Sequence, residues 1–149
     1  MKKALILAAV LAVIGGGVFA MKDKIFGVTY RDGVYEGEYQ ADDGENTKVI
    51  LTLKDNRIVA CVLEARDAMG NIKDENHGKD GSAEDFRQAQ RAVREMKKYP
   101  DMLIETQDVD KMDSISGASV TYKAMQIAVH EAFHWQDFLR KKEINAPAP

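Results

Sequence analysis

Two apolar-rich runs, TKVILTL (47–53) and RIVACVLEA (57–65), are separated only by Lys54-Asp55-Asn56. Asp and Asn tolerate the left-handed backbone region, so this spacing predicts a tight hairpin turn and forces two neighbouring antiparallel strands. Upstream, VYEGEY (34–39) alternates, placing Tyr35, Gly37 and Tyr39 on one face of a further strand. DDGEN (42–46) supplies the turn between them.

After this β region the period changes. MGNIKDENHGKDG (69–81) is polar and glycine-rich and reads as a loop. Ser82 then caps a helix, with Asp85 in the capping-box position. Phe86, Ala89, Val93 and Met96 recur on one helical face, and Tyr99-Pro100 is expected to end that helix. MLIET (102–106) reads as a fourth short strand and QDVDKMDSISGA (107–118) as a loop. The last helix is expected from about Ser119 to Lys142, with Thr121, Ala124, Met125, Ala128, Ala132, Trp135 and Leu139 on its apolar face. The order β-β-β-α-β-α gives an α+β fold, a small, mostly antiparallel sheet with two packed helices.

The amino terminus has a different character. Met1-Lys2-Lys3 is followed by 17 residues, Ala4 to Ala20, without a charged or polar side chain. Residues 1–20 are therefore expected to be a signal peptide or a membrane anchor. Val18-Phe19-Ala20 offers a cleavage site behind the helix-breaking Gly15-Gly16-Gly17; left uncleaved, the segment would rise about 26 Å as a helix, slightly short of a hydrocarbon core. In both cases the lysines stay inside, and the rest of the chain lies on the extracytoplasmic side of the cell membrane. Residues 21–31 read as a linker, 32–142 as the folded domain and 143–149 as a flexible tail.

The 149 residues suffice for one domain with a modest core. With a formal charge of −3 and no visible stripe of Lys and Arg, no nucleic-acid partner is expected. Cys61 is the only cysteine, which excludes an internal disulfide, an iron–sulfur cluster and a covalently attached haem. Its apolar neighbours mark it as a small core residue.

Two motifs carry chemistry. HEAFH (130–134) matches the H-E-x-x-H signature, with His130 and His134 one helical turn apart as zinc ligands and Glu131 as general base of a metallopeptidase. A third protein ligand is the difficulty. Asp137 and Glu143 lie on the same helix, and His77 is the one remaining histidine. The second motif is DSISGAS (113–119). Ser116, Gly117, Ala118 and Ser119 expose backbone N–H groups at the start of a long helix, where partial positive charge favours a phosphate. Ser119 equally suits the N-cap, its hydroxyl accepting from the N–H of Thr121 or Tyr122. These residues alone leave capping and phosphate binding both open.

The chain resembles the FMN-binding domain family, found in flavin-carrying subunits of ion-pumping redox complexes and in extracytoplasmic electron-transfer proteins. DGVYEGEY (32–39), VILTLKDNRIVACVL (49–63) and DSISGASVT (113–121) carry the resemblance, which spans about Asp32 to Leu139. It implies an FMN cofactor attached by a phosphoester bond at Ser119, formed by a separate flavin transferase with FAD as donor. Asp113, Ser116, Gly117 and Ala118 are then the recognition sequence and phosphate cradle, and Thr121 a further hydroxyl donor. The family acceptor is more often threonine, and here it is serine. The loop 71–81 becomes a candidate lid, with His77 against the ring and Lys79 near its polar end. The implied protein is an electron carrier or a subunit of a redox complex rather than a self-contained enzyme. Its partners are membrane-linked or extracytoplasmic redox proteins, and the membrane itself if the N-terminal segment is retained. The zinc peptidase, and a non-covalent FMN binder with a sensing or scaffold role, are the alternatives.

Overall fold

Asp55 and Asn56 both adopt the left-handed conformation, with φ of 52° and 58°, and close the expected hairpin in two residues. The computed structural model describes residues 30–144, with side chains described through residue 134. The expected signal or anchor (1–20) and most of the linker therefore lie outside the described residues, as do the Trp135 and Leu139 side chains.

The hairpin pairs β2 (Asn46–Lys54) with β3 (Arg57–Arg66), and β1 (Gly33–Gln40) joins the far side of β2. The result is an antiparallel sheet in the order β1-β2-β3. Alternation determines its inner face: Tyr35 and Gly37 of β1, Val49, Leu51 and Leu53 of β2 and Ile58 of β3 are buried. Asp32 secures the turn from outside, its carboxylate accepting the Asp55 N–H at 2.7 Å.

Three helices follow: α1 (Ala83–Met96), α2 (Tyr99–Thr106) and α3 (Ser119–Ile144), with a 3-10 turn at Val109–Lys111. The capping box at α1 forms as expected, Ser82 accepting from the Asp85 N–H and Asp85 from the Ser82 N–H. Helix α3 lies across β1 and β2, burying Tyr122, Ala124, Met125, Ala128, Val129, Ala132 and Phe133. Its contact with the sheet is backbone to backbone at one point. A Cβ built on Gly37 would lie 1.8 Å from the Ala128 carbonyl oxygen and 2.6 Å from the Ala132 nitrogen. Glycine is required there for the helix to sit on the strand.

The expected fourth strand does not form. MLIET belongs to α2, which packs behind β3 and buries Tyr99 and Leu103, one helical turn apart. Pro100 does not end α1, which stops at Met96; it sits in the first turn of α2, where its fixed φ favours the helix and its missing N–H is not needed. Helix α2 ends at Gln107, which has φ 61°. The buried Gln107 amide then does part of what a fourth strand would do. Its Oε1 accepts the Ile58 N–H and its Nε2 donates to the Ile58 carbonyl, both at 2.8 Å. The observed order is thus β-β-β-α-α-α. Helix α3 continues to Ile144, so the tail expected from 143 begins inside it.

Candidate functional site

The segment before α3 is held by two stacked, buried tyrosines, with ring centroids 5.6 Å apart. The Tyr122 hydroxyl lies 2.9 Å from the Val109 carbonyl and 2.8 Å from that of Met112, anchoring the upstream end. Burial is the first cause, and nearby Asp110 the second, that raises the Tyr122 pKa and keeps this donor protonated. The Tyr99 hydroxyl donates to the Ala118 carbonyl at 3.1 Å and accepts the Ile115 N–H at 3.0 Å. Between these anchors the Ala118 N–H donates to Ile115 O at 3.0 Å, and Gly117 has φ 92°. This is the geometry of a type II turn, whose third position requires glycine.

The turn delivers Ser119 as the first helical residue, so Ala118 and not Ser119 occupies the cap position. The Tyr122 N–H, expected to donate to the Ser119 hydroxyl, donates instead to the Ala118 carbonyl at 3.0 Å. Ser119 does not act as a cap, because Tyr99 fixes that carbonyl one residue earlier. The Ser119 side chain is exposed, and among the described residues its hydroxyl has no hydrogen-bond partner. The N–H groups of Ser119, Val120 and Thr121, being first-turn donors, also find no acceptor there.

Gly117, Ala118, Ser119, Val120 and Thr121 form one side of a cleft of about 320 Å³. Ala92, Val93 and Met96 of α1 form an apolar wall, and Glu45, Lys73 and His77 a polar one. Five of the seven sequence-predicted residues, Gly117, Ala118, Ser119, Thr121 and His77, thus converge. Asp113 and Ser116 are exposed and line no part of this cleft, although Ser116 is the second residue of the turn. Lys79 is also exposed and outside it. The loop around His77 is pinned to α1 by Gln90, whose Nε2 donates to the carbonyls of Asp74 and His77.

Three charged residues at this site were not singled out from the sequence. Lys73 and Glu45 pair at 2.7 Å inside the cleft. Arg91, on α1, lies across Gly117, its Nε 3.2 Å from where a Cβ would stand. Helical spacing in fact makes a short basic row of Arg87, Arg91, Arg94 and Lys98, though Glu84 and Glu95 pair with two of its members. Only the 3.6-residue period of α1 could have signalled that row.

The H-E-x-x-H residues are placed differently. His130, Glu131 and His134 are exposed on α3, and His130 Nε2 lies 3.0 Å from Asp110 Oδ2. Among the described residues no group of three or more His, Cys, Asp or Glu side chains is arranged to hold a metal ion. No described helix is long and apolar enough to cross a membrane.

The fold is similar to that of a crystallised protein of Clostridium perfringens, with a TM-score of 0.56 at 17% identity, covering 72% of this chain and 89% of that one. A solution structure of a Clostridium thermocellum protein matches at TM-score 0.39 and 22% identity, over 69% and 92% of the two chains. No protein with a curated description matches. The sequence profile of the FMN-binding domain matches residues 19–134, which take in the sheet, α1, α2, the turn and the cleft. On that match the chain belongs to the FMN-binding domain family.

Proposed function

We propose that this FMN-binding protein is an exported electron carrier whose flavin is esterified through its phosphate to Ser119. The observation that carries the reading is the Ser119 hydroxyl, exposed and lining the cleft, which like the neighbouring N–H donors has no hydrogen-bond partner among the described residues. The residues suit the group. The N–H groups of Ser119, Val120 and Thr121 can donate to phosphate oxygens, helped by the helix dipole and by Arg91 across Gly117. Ala92, Val93 and Met96 offer an apolar surface for a flat ring, and His77 lines the same cleft. Bound FMN supplies reversible uptake and release of electrons; the protein supplies attachment, orientation and tuning.

Attachment would be the work of a separate flavin transferase. The Ser119 oxygen forms a bond to the phosphorus of the FMN half of FAD, the pyrophosphate bond breaks, AMP leaves and the hydroxyl proton is lost to a base on the transferase. Asp113, exposed ahead of the turn, and Ser116, exposed within it, lie outside the cleft and suit recognition by that enzyme better than contact with the flavin. The apolar Ala4–Ala20 run supports a place outside the cytoplasm, as an anchored or secreted protein, with membrane-linked or extracytoplasmic redox partners.

Co-expression with a flavin transferase tests this. Denatured wild-type protein is expected to retain flavin and gain the mass of one FMN less water. Ser119→Ala abolishes the adduct and Ser119→Thr keeps it. Because Ser119 makes no capping bond, Ser119→Ala is expected to change stability by less than about 0.5 kcal/mol, as for an ordinary surface site. Wild-type protein without adduct, beside a known acceptor modified in parallel, refutes covalent attachment. Flavin that is bound but washes out on denaturation makes Ser119 a phosphate ligand only.

A further inference from the structure

The polar wall of the cleft holds an ion pair whose two segments are each also tied by backbone hydrogen bonds. Lys73 is tied to β3 through its backbone N–H, which donates to the Ala65 carbonyl at 2.8 Å. The segment holding Glu45 is closed by its own turn, with Ala41 N–H to Glu45 O at 2.8 Å and Gly44 N–H to Ala41 O at 3.0 Å. Yet the Lys73 ammonium is drawn in, its side chain 15% exposed against 36% for Glu45, to meet the carboxylate at 2.7 Å. A pair so placed in the wall of a cleft keeps donors and acceptors for a ligand. The ammonium has three N–H donors and spends one on Glu45; the carboxylate keeps its second oxygen.

We propose that Lys73 and Glu45 together bind the pyrimidine edge of the flavin ring, and that the Lys73 charge sets how readily the bound ring accepts electrons. The inference rests on the FMN reading above. That edge presents two carbonyl acceptors on either side of an N–H donor. An ammonium beside a carboxylate matches one carbonyl and the N–H. The other walls are already suited to the rest of the molecule: the N–H groups of Ser119, Val120 and Thr121 to the phosphate, and Ala92, Val93 and Met96 to the ring face. A fixed cation at the ring's edge, partly shielded from water, favours the more electron-rich state.

Redox titration of the full, flavin-loaded protein decides it. In Lys73→Met protein that carries FMN at Ser119, the preference for the reduced ring is expected to fall at least tenfold, which is about 30 mV for a two-electron couple. Lys73→Arg should recover most of that preference, and Glu45→Gln should shift the flavin absorbance bands. If Lys73→Met folds too poorly to load, Lys73→Arg and Glu45→Gln carry the test, and wild-type potential and spectrum in both would overturn the proposal. A less than threefold change in Lys73→Met overturns it as well. A folded Lys73→Met that takes no flavin likewise moves the test to Lys73→Arg and Glu45→Gln. Wild-type protein that binds no FMN defeats the underlying reading instead, before any variant is compared.

Discussion

Gly37→Ala adds one methyl group where α3 rests on β1. That methyl would start 1.8 Å from the Ala128 oxygen, 2.6 Å from the Ala132 nitrogen and 2.9 Å from the Ala128 carbonyl carbon. All three are backbone atoms, so no side-chain rotation relieves the clash. Reaching ordinary contact distance requires the helix and strand to part by roughly 1.5 Å. Met125, Ala128, Val129, Ala132 and Phe133 on that face are at most 5% exposed, and separation opens voids among them. Strain and lost contact together place the cost at or above the upper end of overpacking, about 3 kcal/mol, out of a total of about 5–15 for a domain of this kind. Equilibrium urea unfolding measures it: the midpoint should fall with the slope preserved. Val34→Ala, on the exposed face of the same strand, is the control and should stay within about 0.5 kcal/mol. The same displacement reaches the cleft, because Ser119 lies nine residues, about 14 Å, along the same rigid helix from Ala128. Flavin loading of Gly37→Ala is expected to drop with stability. A midpoint equal to that of Val34→Ala would show that α3 does not rest on Gly37.

Tyr99→Phe removes the hydroxyl that joins Ile115 to Ala118 and leaves the Ile115 N–H unsatisfied, so it is expected to cost about 1–3 kcal/mol. Faster amide exchange confined to the turn before α3 would place the effect there, and unchanged exchange would refute the clamp. Burial first, and Asp101 second, push the Cys61 thiol up from 9.0 to about 12. The folded state therefore holds the proton more tightly than the unfolded state, so this stability contribution is complete below pH 9 and is lost as pH rises from 9 towards 12. Native protein should resist alkylation at pH 8 while denatured protein reacts; equal rates would contradict the burial.

What the sequence made legible follows the range of the forces involved. The hairpin was readable because its cause is local: Asp55 and Asn56 supply the two left-handed residues within a four-residue window. The fourth strand was misread because Met102-Leu103-Ile104 is too short to distinguish strand from helix by period. What decided it was Pro100 in the first turn together with the burial of Tyr99 and Leu103 against β3. The start of α3 was placed correctly, but the capping bond expected of Ser119 was not, because the hydroxyl that fixes the Ala118 carbonyl belongs to a residue 19 positions away. Likewise Gly37 was visible on the inner face of β1, but nothing near it announces the helix backbone above it.

The same division runs through the site. The turn that delivers Ser119 is contiguous and lies within DSISGAS, whereas the polar wall is assembled by strand register. Lys73 N–H binds Ala65 O, Ala65 pairs with Thr47 across β2 and β3, and Thr47 lies two residues beyond Glu45. The Lys73–Glu45 distance is therefore set by the pairing of β2 with β3. A slip of one residue would turn Ala65 to the opposite face relative to Thr47 and carry Lys73 away from Glu45. The two-residue turn at Asp55-Asn56 and the irregularity at Val59, which shifts the pairing by one residue between Leu53–Ile58 and Thr52–Ala60, together set this register and with it the approach of the charge pair.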